Sequence, residues 1–225
     1  SSLPWRRPWR QRTKTGAFST FIKLSAASSS KGLTFATWNA RAFCHHKAEL
    51  ATMKSDYLGS ALRAGAIVGM QEVHGSAVRL RILIDRTGLD YQMFYSFDDG
   101  ADESIGGVAT IFPYLPRVGL DVRKTSEVRA RVLRVTASIT TGRFQGYTLK
   151  HWNIHDHDLS REQVARISTA IKGDLRDMEQ GPQRCCVVLV GDINYGENVE
   201  VEDPLVQGGG RRAAAVPGGG GHSCG

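Results

Sequence analysis

The chain has 225 residues, 41% hydrophobic and 23% charged, enough to bury one good core and hardly two, so one domain is expected. Its 29 Lys and Arg against 22 Asp and Glu give a net charge of +7, but Arg6, Arg7, Arg10, Arg12, Lys14, Lys23 and Lys31 precede residue 33 with no acidic residue among them. The excess belongs to that segment and the remainder is neutral, which excludes reading the body as a nucleic-acid binder on charge alone.

In chain order, residues 1–32 carry Trp5, Trp9, two prolines and a run of Ser and Ala without a sustained helical or strand period, so a disordered basic arm is expected. Arg- and Ser-rich, acid-free composition is also that of an organelle transit peptide, which would place the protein in an organelle. From residue 33 the chain alternates short apolar runs with amphipathic ones. Leu33 to Trp38, Ala66 to Met70, Tyr91 to Ser96, Val108 to Phe112, Val132 to Ile139, Phe144 to Trp152 and Cys185 to Val190 read as strands, being mostly rich in β-branched or aromatic residues. Helical patterns cover about Ala48 to Arg63 and Val78 to Asp85. The clearest helix runs from Arg161 to about Met178: Ser160 and Gln163 form a capping box, Val164, Ile167, Ile171, Leu175 and Met178 share one face, and Gly181-Pro182 ends it. A hairpin across Val132 to Trp152, turning at Thr141-Gly142, breaks a purely parallel series, so an α/β domain with mixed sheets is predicted over 33–198. Residues 199–225, rich in Gly and Ala, cannot supply a core layer.

Cys44, Cys185, Cys186 and Cys224 include no Cys-x-x-Cys pair, which makes a thiol metal site unexpected. Cys185 and Cys186 should point to opposite faces of one strand. Reduced packing residues and an intracellular setting follow. No apolar run approaches membrane-spanning length, and nothing indicates an oligomer.

Four polar motifs close apolar runs: Thr37-Trp38-Asn39, Gln71-Glu72-Val73-His74, Asn153-Ile154-His155 and Gly191-Asp192-Ile193-Asn194. Strand ends of this kind place ligand side chains at the rim of a sheet, where a hydrolytic metal site can assemble. Glu72 suits Mg²⁺, which is held by one or two carboxylates together with water and phosphate; a solvated strand-end Glu is the bland alternative. Asp192 and Asn194 alternate, so both face one side, Asp192 to accept a proton from water and Asn194 to orient that water or a phosphate oxygen. An Asx-rich turn would look the same. Gly191 would let backbone or substrate approach closely. His155 can donate to a phosphoryl oxygen or protonate a leaving group, whereas His157 and Asp158 read as a solvated loop. Asn39 reads as a turn residue or a ligand to metal or phosphate.

Taken in order, these motifs resemble the endonuclease/exonuclease/phosphatase superfamily, which includes pancreatic DNase, AP endonucleases, sphingomyelinases, inositol polyphosphate 5-phosphatases and the endonuclease domains of non-LTR retrotransposons. The resemblance spans about Leu33 to Tyr195. It implies a four-layer αββα sandwich, Mg²⁺ (or Mn²⁺) held by Glu72 with Asn39 assisting, catalysis by His155, Asp192 and Asn194, and phosphate contacts from Asn153 and His74. Gln-Glu-x-His at 71–74 and the Gly106-Gly107-Val108-Ala109 strand resemble the retroelement branch, implying a DNA partner, phosphodiester cleavage and a nuclear location. Asn153-Ile154-His155 is similar to the DNase and sphingomyelinase branches, and Tyr195 to inositol phosphatases, so hydrolysis of a small or lipid phosphate is the alternative. The superfamily's closing strand and Asp-His motif have no counterpart after Tyr195. The expectation is a sandwich lacking its last strand or strands and a weakly active or inactive copy; a non-catalytic remnant whose basic arm binds nucleic acid is the third reading.

Overall fold

A computed structural model describes residues 9–12, 18–24, 33–44, 47–98, 106–114, 119–141, 144–181 and 184–192, with the backbone alone at 9–12, 18–24 and 126. The chain divides into two units, Ser1–Asn194 and Tyr195–Gly225, and the second lies outside the described residues.

The elements run β1 (Trp9–Arg12), β2 (Phe18–Leu24), β3 (Leu33–Asn39), α1 (Ala48–Arg63), β4 (Ala66–Gln71), α2 (Ala77–Asp85), β5 (Tyr91–Ser96), β6 (Val108–Pro113), β7 (Leu120–Val128), β8 (Val132–Ile139), β9 (Tyr147–His155), α3 (Arg161–Gln180) and β10 (Arg184–Asp192). They build two mixed sheets, one in the order β1-β2-β3-β4-β6-β5 and one in the order β10-β9-β8-β7. Parallel pairs β3/β4 and β9/β10 sit within otherwise antiparallel neighbours.

Side-chain alternation sorts the residues into three apolar layers. On the outer face of the first sheet, Trp38, Val68, Met70, Ala109 and Ile111 pack under Leu58 and Leu62 of α1 and Leu80 and Leu83 of α2. Between the sheets, Phe35, Ile67, Val108 and Phe112 meet Leu133, Val135, Leu149, Val188 and Val190. On the far side, Val132, Trp152, Ile154 and Val187 pack against Ile167 of α3. The result is the αββα sandwich. Cys185 faces α3 and Cys186 faces the inter-sheet core, as alternation requires.

Two differences from the sequence reading concern the sheets' edges. Residues 1–32 were expected as a disordered arm, yet β2 pairs antiparallel with β3, Ser19 opposite Trp38, and β1 pairs with β2. Strand β7 was not predicted: Leu120 and Val122 are its inward residues, while Asp121, Arg123 and Lys124 give it the polar look of an edge strand. The α3 stripe is also shorter than predicted, since Val164 is 42% and Met178 37% exposed.

The Ser160 capping box is present, with Gln163 N–H donating to Ser160 Oγ at 3.2 Å and Ser160 N–H to Gln163 Oε1 at 2.8 Å. Further along, α3 turns a carboxylate inward. Asp174, 3% exposed, accepts from Arg134 Nη2 at 2.5 Å, Lys150 Nζ at 2.9 Å and Trp152 Nε1 at 2.9 Å. Asp174→Ala would leave a buried indole N–H without its acceptor and take the buried carboxylate from Arg134 and Lys150, which keep only Glu127 at 3.9 Å and the exposed Asp177 at 2.7 Å. Urea unfolding of this variant is expected to show a loss of about 3–5 kcal/mol.

Candidate active site

Four strands end at one rim. Asn39 is in register with Gln71 on the parallel pair β3/β4, and Asp192 with His155 on β9/β10. A side-chain bond joins the two sheets there: Asn39 Nδ2 donates to Glu72 Oε1 at 2.7 Å and to Asp192 Oδ2 at 2.5 Å. His155 Nε2 lies 3.5 Å from Glu72 Oε1. One ligand atom each from Glu72, His155 and Asp192 falls within 4.8 Å of the others. Residues separated by up to 153 positions in sequence, Asn39 and Asp192, thus converge because the strand ends coincide.

The loops after β3 and β4 are held in unusual backbone conformations. Arg41, Ala42, Glu72 and His74 have φ of 42°, 59°, 51° and 50°, the left-handed region that costs a non-glycine residue energy. Backbone bonds hold the two loops together: Ala40 N to Gln71 O at 2.8 Å, Ala42 N to Glu72 O at 2.7 Å and Cys44 N to Val73 O at 3.1 Å. Lys54 reaches in from α1, its Nζ donating to the carbonyls of Ala40, Arg41 and Ala42 at 2.8, 2.6 and 3.0 Å. Burial holds this ammonium below the ordinary lysine value, against the opposing pull of Cys44 and Glu72. The sequence reading missed Lys54. Its signal was a lysine on the buried face of α1 with Ala51, Ser55 and Leu58.

Gly191 answers to backbone, since a Cβ there would overlap the carbonyl oxygen of Ile154 on β9. His155 is 3% exposed, and neither ring nitrogen has a hydrogen-bond partner among the described residues. Burial lowers its pKa, Arg131 and His157 add to the effect, and Glu72 and Asp192 oppose it. The imidazole is therefore neutral at pH 7, with a lone pair available to a cation. His157 and Asp158 pair with each other at 2.6 Å on the exposed loop, as expected.

Two predicted site residues stand differently, and a third is not among the described residues. Asn39 was expected to ligate metal, but its Oδ1 accepts from Arg41 N at 3.1 Å while its Nδ2 faces the carboxylates. A backbone N–H on one side and two carboxylates on the other fix that orientation, so Asn39 positions Glu72 and Asp192. Asn153 was expected at the phosphate. It is fully buried one step below the rim, with Nδ2 donating to Met70 O at 3.1 Å and Ala109 O at 2.8 Å and Oδ1 accepting from Gln71 Nε2 at 2.6 Å. No donor remains for substrate, and its work is to tie β9 to the first sheet under Glu72. Asn194 lies outside the described residues.

Two carboxylates and a neutral, unpartnered imidazole at mutual ligand distance suit a divalent cation such as Mg²⁺ or Mn²⁺. No helix among the described residues is long and apolar enough to cross a membrane.

No family model and no curated protein matches the sequence. Solved structures do match. The human Nocturnin catalytic domain with a bound sulfate anion aligns at a TM-score of 0.51 and 17% identity over 79% of this chain and 68% of that one. An endonuclease/exonuclease/phosphatase family protein from Bacteroides thetaiotaomicron gives 0.47 and 13% over 75% and 66%. TDP2 from D. rerio, complexed with a single-strand DNA product, gives 0.47 and 18% over 73% and 62%, so the chain spans less than two thirds of that protein. The likeness to Nocturnin shows a shared fold, and the neighbours are of the endonuclease/exonuclease/phosphatase fold.

Proposed function

We propose that the chain is a divalent-metal-dependent phosphoric ester hydrolase whose substrate is DNA, cut at phosphodiester bonds in the manner of a retroelement endonuclease. The observation that carries it is the convergence of Glu72, His155 and Asp192 at the ends of three strands, with Asn39 bridging the carboxylates. Bound there, Mg²⁺ or Mn²⁺ supplies Lewis-acid neutralisation of charge developing on a phosphoryl oxygen.

The protein's own groups do the rest. Asp192 accepts the proton of the attacking water, and Asn194, two residues on, orients that water. Neutral His155 either completes the cation's donor set or donates to a phosphoryl oxygen. Asn39 fixes the spacing of the two carboxylates, and Lys54 fixes the loop that carries Asn39. DNA is favoured over a small phosphate by the sequence alone, through the His74 that follows Gln71-Glu72 and the Gly106-Gly107 strand.

Incubation with supercoiled plasmid, inositol phosphates and sphingomyelin, each with Mg²⁺, Mn²⁺ or EDTA, tests both parts. Metal-dependent nicking of plasmid is expected. Release of phosphate or phosphocholine from the small substrates, with plasmid intact, would move the substrate to the alternative class. Failure to hydrolyse any of them would remove the hydrolase reading.

A further inference from the structure

The two sheets end on β1, β5, β7 and β10, and the first three of these edges carry something that discourages a further strand. β1 is four residues long, with Arg10 and Arg12 among them. β7 bears Asp121, Arg123, Lys124 and Glu127, and its register shifts between Ser126 and Val128. In β5 the Tyr95 carbonyl is taken by Lys124 Nζ at 3.3 Å. β10 has none of these devices. From Arg184 to Asp192 it is charged only at its two ends, with Cys-Cys-Val-Val-Leu-Val-Gly between them, so a strand with the composition of a sheet centre stands at a sheet edge.

The pairing with β9 fixes which backbone groups are left over. Asp192 is in register with His155, and its carbonyl accepts from Asp156 N at 3.1 Å. Backbone groups alternate sides along a strand, so Cys186, Val188 and Val190 also turn toward β9, while Cys185, Val187, Leu189 and Gly191 turn their N–H and C=O outward. Among the described residues no strand pairs with that outer row. Leu189, 38% exposed, lies along it. Unpaired N–H and C=O groups beside apolar side chains are a template for another strand.

The sequence of β10 is complementary to itself read backwards. In an antiparallel pair about a two-fold axis at Val188, outward residues meet outward residues, Val187 with Leu189 and Cys185 with Gly191, which makes them hydrogen-bonded pairs. Arg184 then lies opposite Asp192 of the second copy, a cross-strand pair of opposite charge at each end. A slip of one residue would set outward groups against inward ones. A slip of two would restore the hydrogen bonds but place Arg184 opposite Val190, or Asp192 opposite Cys186. Backbone pattern and charge thus select the same register.

We infer that β10 is a homodimer interface, two copies of the chain pairing antiparallel about Val188 so that their second sheets become one continuous sheet. A two-fold pairing uses up both free edges and stops at the dimer. The strip is about 30 Å long, which puts the contact at the small end of specific interfaces and makes the dimer concentration-dependent. It stands whether or not the chain hydrolyses a phosphoric ester.

The test is sedimentation velocity on the full chain, with reductant to keep the cysteines unlinked, over about 1 to 100 µM. A monomer that passes to a dimer and no further is expected, and hydrogen exchange at the high end should slow severalfold at the amides of Cys185, Val187 and Leu189. Leu189→Lys puts a charge on the apolar edge, and Arg184→Glu sets two carboxylates opposite each other. Each is expected to raise the dissociation constant about tenfold or more with an unchanged melting temperature, since both side chains are exposed. Arg184→Lys should dimerise nearly as well as wild type, and Val78→Lys, at a 69% exposed position on α2, should match it. A chain that stays monomeric throughout the range, a dimer that survives both Leu189→Lys and Arg184→Glu, or association that grows past the dimer would overturn the inference.

Discussion

Glu72→Gln is expected to abolish stoichiometric Mn²⁺ binding, read by calorimetry or electron paramagnetic resonance, and to lower metal-dependent hydrolysis by about a thousandfold. The substitution is nearly isosteric, and Gln still offers an oxygen to Asn39 Nδ2, so the 2.7 Å bond that spaces the site survives. Charge is what disappears. With one carboxylate left at Asp192, the donor set falls to one anion and one imidazole, below what a hard divalent cation needs to displace its water. Thermal unfolding should move little, because the Glu72 side chain is 30% exposed and its neighbours stay bonded. The left-handed φ of 51° is a backbone property that Gln tolerates as well as Glu. A variant that retains full metal affinity would show that the cation, if bound, sits elsewhere, and the convergence of the strand ends would lose its chemical meaning.

How far the sequence carries depends on which physical signal each residue leaves. Central strands were legible because both faces are buried: β4 and β6 are buried at every position, and such runs of Val, Ile and Ala stand out against their surroundings. Edge strands were not. In β7 Leu120 and Val122 reach the core between the sheets and Val128 the layer under α3, with polar residues between them, and β2 needs the free edge of β3 as a partner, which no local pattern announces. In the site, the motifs pointed to Glu72, His155 and Asp192, which the fold brings to one rim, since each ends or follows an apolar strand and period-two alternation gives its side. Depth was invisible. Asn153 and His155 are two apart on β9 and face the same way, but one step along a strand separates a group at the rim from one sealed between the sheets, and the buried Asn became a clamp. Arg131 left no signal at all. It sits in a turn among other charged residues, and only the chain's three-dimensional path brings it beside His155.

The same buried layer carries the second large effect, an acid-induced loss of stability centred on His151. This histidine is fully buried between the sheets, stacked 6.0 Å from the ring of Phe35 and edge-on to Phe112, with no hydrogen-bond partner for either ring nitrogen among the described residues. Burial depresses its pKa from 6.5 to about 3. A base with a depressed pKa stays neutral in the folded state while the unfolded chain takes up a proton below pH 6.5, so the unfolded state binds more protons and stability rises with pH. Stability is therefore complete above pH 6.5 and is lost as pH falls from there toward 3, at about 1.4 kcal/mol per pH unit. By pH 4 the loss from this residue is about 3 kcal/mol, a large share of what holds a domain together. His155, also lowered, pushes the same way. His151→Phe isolates the effect, since it keeps an aromatic ring between Phe35 and Phe112 and removes two unpartnered polar atoms. Urea unfolding from pH 4 to pH 7 should show the variant at least as stable as wild type at pH 7, with a shallower fall toward acid by up to one proton's slope. Parallel curves for the two proteins would mean that His151 is protonated in the folded state, and the apolar sandwich around it would need a polar partner for that charge.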